Sequence, residues 1–353
     1  ASVIGPSSCS YHNDDNPNEY PDPQPEPEPE PEPQPDVNEK YLEASFTPNC
    51  FMVKPGESVD IPVLKAYAIW DLYAEWRDKS DFTGRTPEPV LLWQDTPGLI
   101  TNVGLIPGQT AEEGSIFVST ADKVGNALIG LRIGGEIRWS WHIWVTDEDI
   151  SRTAEVMTSY HKSSNMMPVN LGWCDGEQII FPRRECKVRI KAGPEIRIFT
   201  IRQNEYRIDY AGNNPYYQWG RKDPLYPAVS PQDTKYWYTS DGSISNNRPK
   251  DWFYSGSRIE WIADGITNPE KHNTSDMQAN PLYMNLWDIS NVNIGVDEKT
   301  PVKSIYDPCP AGFHVPRGWE FNGFSKSGSG GGRDDLNVSG AFSRGWNFYC
   351  GLK

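Results

Sequence analysis

The stretch GNALIGLRIGGEIRWSWHIWVTD, residues 125–147, commits this chain to β-structure more firmly than any other. Gly134-Gly135 supplies a two-residue turn that tolerates positive φ, the signature of a tight hairpin. Beyond the turn, Ile137, Trp139, Trp141, Ile143 and Val145 alternate with Arg138, Ser140, His142, Trp144 and Thr146. A period of two predicts a half-buried strand with one apolar and one polar face. With a two-residue loop, Gly130 falls opposite Trp139 and leaves room for its indole. Upstream, KPGESVDIPVLKAYAIW places a Pro55-Gly56 turn ahead of a further strand. Residues 41–150 thus read as an immunoglobulin-like β-sandwich.

Composition agrees with a mainly β chain. Its 30 Gly and 31 Pro mean frequent turns and argue against long helices. The 14 Trp, 17 Tyr and 12 Phe carry an unusual share of the apolar content. At 353 residues there is length for two or three domains. No apolar run reaches the roughly 18 residues that a membrane-spanning helix needs.

The net charge of −15 is unevenly spread: residues 1–40 hold −9 of it and the remainder only −6. Acidity therefore belongs mostly to the leader, and no basic stripe exists to track phosphates, so nucleic acid is not an expected partner. Within the leader, ASVIGPSSCSYHNDD reads as the tail of a bacterial lipoprotein signal, with Cys9 as the residue to be lipidated. Next, PDPQPEPEPEPEPQPD repeats proline at every second position from Pro21 to Pro35. Locked φ angles and mutually repelling glutamates make it a stiff spacer of about 45 Å.

From residue 151 onward the chain is aromatic and loop-rich. NPYYQWGRKDPLYP, KYWYTSDGS and DWFYSGSRIEW show no helical stripe, and they fit a small sheet that carries long loops. Aromatics in polar loops offer flat contact area at low entropic cost. Trp237, Tyr238, Trp252 and Tyr254 are the candidate ligand-binding residues.

Catalytic and metal chemistry finds little footing. Cys309, in SIYDPCPAGFHVP, has three open roles: nucleophile, metal ligand or disulfide partner. Asp307 and Cys309 both precede proline and are held extended, so the thiol cannot sit on a helix N-terminus. His314 alternates with Phe313 and Val315 in a predicted short strand, facing away from them. His142 has no second His or Cys at ligand spacing. There is no G-x-S-x-G, no H-E-x-x-H, no phosphate loop and no EF-hand run, and GSGGGR reads as a flexible loop. No cofactor and no metal are expected.

Four ordered motifs, WSWHIWVTD, YYQWGRKDP, VKSIYDPCPAGFHVP and GAFSRGWNFYC, resemble those of Bacteroidales surface lipoproteins with a Fibrobacter major paralogous domain, often fimbrillin-type pilus tip proteins. The resemblance covers about residues 40–353. It implies three parts: a leader and rigid linker (1–40), a β-sandwich (41–150), and a C-type-lectin-like α+β domain (151–353). Family members continue past GWNFYC, so that last domain is expected to be incomplete at Lys353. The resemblance also implies a non-enzymatic cell-surface adhesin or pilus-tip subunit, held at the outer membrane through its lipid or at a fimbrium tip. Its partners would be a glycan, a host surface protein or pilin subunits. Alternatives are a structural fimbrial component and, on the same fold, an enzyme of the sulfatase-modifying type. Cys309 and Cys350 lie in motifs of one domain and are expected to pair, closing a loop worth roughly 3–4 kcal/mol, the alternative partner for Cys309 being a cysteine in the segment that family members carry past GWNFYC. Cys174 and Cys186 are the second expected pair, across a hairpin. Cys50 is then a buried thiol.

Overall fold

In a computed structural model the chain separates into two compact units, Ala1–Val37 and Asn38–Lys353. Described are residues 38–72, 81–157, 163–174, 177–210, 215, 217–218, 220–225, 237–244, 252–253, 260–273, 286–290, 301–316, 341–342 and 345–346. Cys9, the proline-rich spacer, Tyr254 and Cys350 lie outside these residues. The boundary expected at residue 150 falls within the second unit.

The fold is mainly β. Seven strands of the first half surround one core: β1 (Cys50–Val53), β2 (Ser58–Pro62), β3 (Pro87–Gln94), β4 (Ile100–Ile106), β5 (Ser115–Thr120), β6 (Gly125–Ile133) and β7 (Glu136–Val145). One sheet has the order β1-β7-β6-β3 and the other β2-β5-β4. The β1–β7 pair is parallel, and all the other pairs in these two sheets are antiparallel. Ile61, Ile116 and Val118 from the smaller sheet share a core with Ile129, Trp141, Ile143 and Val145 from the larger. Ala263, Ile266, Leu286, Ile305 and Tyr306 join the same cluster, so distant segments complete the core.

The β6–β7 hairpin forms where the sequence places it, but its register differs by one residue. Gly134 and Gly135 take φ of 65° and 92°. A bulge then intervenes, so Trp139 faces Leu131 and Gly130 faces Ser140. The residue left over is Arg138. Its carbonyl accepts the Trp70 Nε1 hydrogen at 2.8 Å, and its guanidinium lies 4.7 Å from the centre of that indole. Gly130 makes room for other neighbours than Trp139: a Cβ there would stand 3.0 Å from Ile137 Cδ1 and 3.1 Å from Leu92 Cδ1.

Trp70 belongs to α2 (Leu64–Leu72), which follows α1 (Glu39–Ser45). Apolar residues surround α2 on every side, as in a helix sunk into a core. Lys65, Ala66, Tyr67, Ala68, Ile69 and Trp70 are all buried. The third helix, α3 (Glu260–Thr267), packs against β7.

Strand β7 corrects the expectation of a half-buried strand. From Ile137 to Val145 it is buried on both faces. The polar side, Ser140 and His142, is roofed by loops from the second half of the chain. Residues 313–315 also depart from expectation: they form no strand, and a turn closed by Phe313 N–H to the Pro310 carbonyl precedes them.

After a short hairpin of β8 (Ala154–Met157) and β9 (Ser163–Met166), the chain makes a two-stranded ribbon. Its base pairs β10 (Glu177–Phe181) with β13 (Tyr206–Tyr210), and its arm pairs β11 (Arg184–Ala192) with β12 (Glu195–Gln203). The two arm strands meet at a Gly193-Pro194 turn, and among the described residues neither pairs with any other strand.

Candidate functional site

The roofed face of the larger sheet gathers most of the chemistry-bearing side chains. Across it, register sets Trp93, Leu128, His142 and Cys50 side by side on β3, β6, β7 and β1. Strand pairing at 4.7–4.9 Å makes such a row a continuous floor. Loops from residues 170–310 lie on it through buried polar contacts.

His142 is held on both ring nitrogens. Asn126 Oδ1 lies 2.8 Å from Nε2, and the Tyr217 hydroxyl lies 2.8 Å from Nδ1. Asn126 Nδ2 donates to Asp95 Oδ2 and to the Gly172 carbonyl, which leaves Oδ1 as an acceptor. The ring is therefore neutral, with its proton on Nε2 and the Tyr217 hydroxyl donating to Nδ1. Burial pushes the His142 pKa down to about 3. With both nitrogens occupied it offers no lone pair to a metal. Among the described residues no cluster of three His, Cys, Asp or Glu could hold one.

Two strand positions back, Ser140 meets Lys222 and Asp223. Lys222 Nζ donates to Ser140 Oγ at 2.6 Å, to the Ser140 carbonyl at 3.0 Å and to Asp223 Oδ1 at 2.6 Å. The Ser140 hydroxyl donates onward to Asp223 Oδ1 at 2.6 Å. Burial lowers the Lys222 pKa to about 8, against the opposing pull of Asp223. A serine against a lysine is the arrangement of an activated hydroxyl. Here Ser140 is 0 % exposed and Lys222 2 %. The cavity beside Lys222 measures about 10 Å³, room for one water rather than a substrate. Neighbouring Arg221 fixes the far side of this loop. It donates to the carbonyls of Gly265, Asn268 and Lys271, where the end of α3 leaves acceptors open.

The Pro-Cys-Pro segment is tied down by Asp307. Its Oδ1 accepts the Cys309 N–H at 2.8 Å and Lys303 Nζ at 2.6 Å, while Oδ2 accepts the Val315 N–H at 2.8 Å. Asn49 fastens the segment to the sheet: its Nδ2 donates to the carbonyls of Ile305 and Asp307 at 2.8 and 2.9 Å. Asp307 and Asn49 thus pin the Pro-Cys-Pro segment beside the start of β1, where the backbone bends at Cys309 rather than running extended, and the thiol is buried. Burial, then the Asp307 charge, raises its pKa well above the ordinary thiol value, and burial does the same to Cys50.

Among the described cysteines, Cys50, Cys186 and Cys309 are free thiols. The structure shows no disulfide between Cys174 and Cys186; the hairpin that holds Cys186 turns at Gly193-Pro194 and sets it opposite Ile201. Cys174 stays outside the ribbon, buried, with Asn126 Nδ2 at 3.5 Å from its sulfur. The partner expected for Cys309, Cys350, lies outside the described residues. Under native conditions a maleimide is expected to label Cys186, which is exposed, and to spare Cys50, Cys174 and Cys309 until unfolding. Peptide mapping of the labelled protein checks this; rapid labelling of Cys309 would revive its role as a nucleophile.

The aromatic candidates separate. Trp237 is 3 % exposed and stacks on Trp93, ring centres 4.9 Å apart and planes 5° from parallel, so it belongs to the core. Tyr238 exchanges two backbone hydrogen bonds with Gln94, adding a bridge to the edge of β3, and its side chain is half-buried. Trp252 lies in β14 (Trp252–Phe253), parallel to β15 (His272–Asn273). The polar pillars Lys222, Tyr217 and Asn49 were not singled out from sequence, since nothing local distinguishes them from surface residues. The hairpin expected between Cys174 and Cys186 lies further on, at residues 184–203, and the alternation of basic and apolar residues in KVRIKA was the local signal for it. The chain matches no family model, no curated protein and no solved structure.

Proposed function

We propose that the chain is a non-enzymatic surface adhesin or pilus-tip subunit, in which an immunoglobulin-like sandwich carries a lectin-like layer of loops. What carries this reading is the roof itself: long polar and aromatic loops pinned to a sheet face by buried contacts. Rigid attachment lowers the entropy that a binding loop loses on meeting its ligand. Of the side chains suited to acid–base or nucleophilic work, Ser140, His142 and Lys222 are spent inside the structure on holding those loops, and the Cys309 thiol is buried. Among the described residues no helix is long and apolar enough to cross a membrane, which is compatible with attachment through a lipid at Cys9.

Retention of the purified chain on a glycan array and on immobilised mucin tests the reading. Retention that falls on Tyr238→Ala, Trp252→Ala or Tyr254→Ala, with the unfolding midpoint unchanged, supports it. Silence on every glycan and host surface would leave a structural surface component instead. Trp237→Ala behaves differently: it removes half of a buried stack and is expected to cost about 3–5 kcal/mol of stability, measured by urea unfolding.

A further inference from the structure

The arm, residues 184–203, is built unlike the rest of the molecule. Eighteen of its residues lie in the two strands, and every one is exposed except the half-buried Val188. A lone two-stranded hairpin is marginal in water, yet this one runs for nine pairs, about 30 Å at the usual strand rise. Cross-strand partners share a face. One face therefore carries Cys186, Val188 and Ile190 against Ile201, Phe199 and Arg197. Ile190, Phe199 and Ile201 are 52 %, 45 % and 54 % exposed, an apolar strip that no described residue covers. Strips of this kind on folded proteins mark interaction sites.

Charge selects the occupant. The arm holds six basic residues, Arg184, Lys187, Arg189, Lys191, Arg197 and Arg202, against two acidic ones, Glu185 and Glu195, a balance of +4. The rest of the chain carries −19, of which −9 lies in residues 1–40 and −10 in the body outside leader and arm. An arm pressed against another arm would bring +4 onto +4, whereas an arm pressed against the body of another copy meets opposite charge. The strip's face presents five of the nine strand pairs, ten residues, a contact at the small end of specific interfaces that charge must reinforce.

We propose that the arm docks on the acidic body of a second copy of this chain, head to tail. Because arm and body are different surfaces, each docked copy leaves a free arm and a free body, and the contact propagates unless the geometry closes a ring. This proposal uses none of the loop aromatics and stands apart from the adhesin reading.

Sedimentation velocity of the full chain over an approximately hundredfold range of concentration tests it. At about 50 mM salt the mass is expected to rise beyond a dimer, and at about 500 mM the association should weaken by roughly tenfold or more as the charges are screened. Phe199→Glu/Ile201→Glu should sediment as a monomer throughout with an unchanged unfolding midpoint, since both side chains are half exposed. Lys187→Glu/Arg189→Glu, both on the opposite face, should weaken association without touching the apolar strip. Cys186 should become protected from maleimide as the wild-type protein assembles. A wild-type monomer at every concentration overturns the proposal, as does a doubly carboxylated variant that assembles like wild type. A mass that stops at dimer and ignores salt points to arm-on-arm pairing and also overturns it. A monomer that floats with vesicles one-third phosphatidylserine assigns the arm to an anionic bilayer instead.

Discussion

Replacing Asp223 by alanine is expected to cost about 3–5 kcal/mol, enough to unfold the chain near body temperature if its stability is ordinary. The carboxylate is the buried counter-charge for two cations. Lys222 Nζ lies 2.6 Å from Oδ1, and Arg221 Nη2 lies 3.9 Å from Oδ2. All three side chains are at most 5 % exposed. Removing the acid leaves cations in a low dielectric with only dipoles to face, and this loss, rather than the worth of the pair itself, sets the size of the effect. Lys222→Met combined with Asp223→Ala should therefore cost less than the two single changes added together, because it deletes both halves of the pair. Urea unfolding of the three variants measures the difference. A single-variant cost below about 1 kcal/mol would mean that water reaches the site.

A second large effect is acid lability traceable to His142. In the unfolded chain its imidazole titrates near the ordinary value of about 6.5, whereas burial holds it near 3 in the fold. As pH falls below 6.5 the unfolded state takes up a proton that the folded state refuses, so stability present at neutral pH is lost progressively down to about 3. The difference corresponds to about 5 kcal/mol at 1.36 kcal/mol per pH unit. Glu270 works the other way: burial raises its pKa to about 7, so folding gains as pH drops from there to the ordinary carboxylate range. The net decline should be steepest below about pH 5, once Glu270 no longer offsets it. His142→Gln isolates the histidine. Its amide can still meet Tyr217 and Asn126, while the proton-linked part of the slope disappears. Unfolding free energies of both proteins at pH 7, 5 and 4 provide the comparison. Parallel slopes would show that His142 is not the group being titrated.

What sequence made legible, and what it hid, follows from the range of the interactions. The β6–β7 hairpin depends on two glycines and a local alternation, and both are visible within 20 residues. The bulge at Arg138 is set by Trp70, 68 positions away, and no local pattern announces it. The helix α2 hides in LKAYAIWDL because it is apolar on all sides and so lacks the stripe that identifies a surface helix. Trp237 looks like a binding aromatic because its neighbours in sequence are polar. Trp93, which covers it, comes from β3 in the other half of the chain. His142 and Ser140 were legible as a polar strand face, but the roof that buries them is assembled from Trp173, Tyr217 and Lys222, each isolated in a loop.

The clasp between Asn49 and the Pro-Cys-Pro segment spans 256 and 258 positions of the chain. During synthesis the amide emerges first and waits for its acceptors for about 13–50 s at about 5–20 residues per second. For that interval Trp93, Ser140, His142 and Trp144 form a naked ledge on a half-made protein. Biogenesis, more than the finished fold, thus sets the hazard: until residue 307 is delivered, some holding factor or an unfolded passage outward must keep that ledge from sticking to its neighbours.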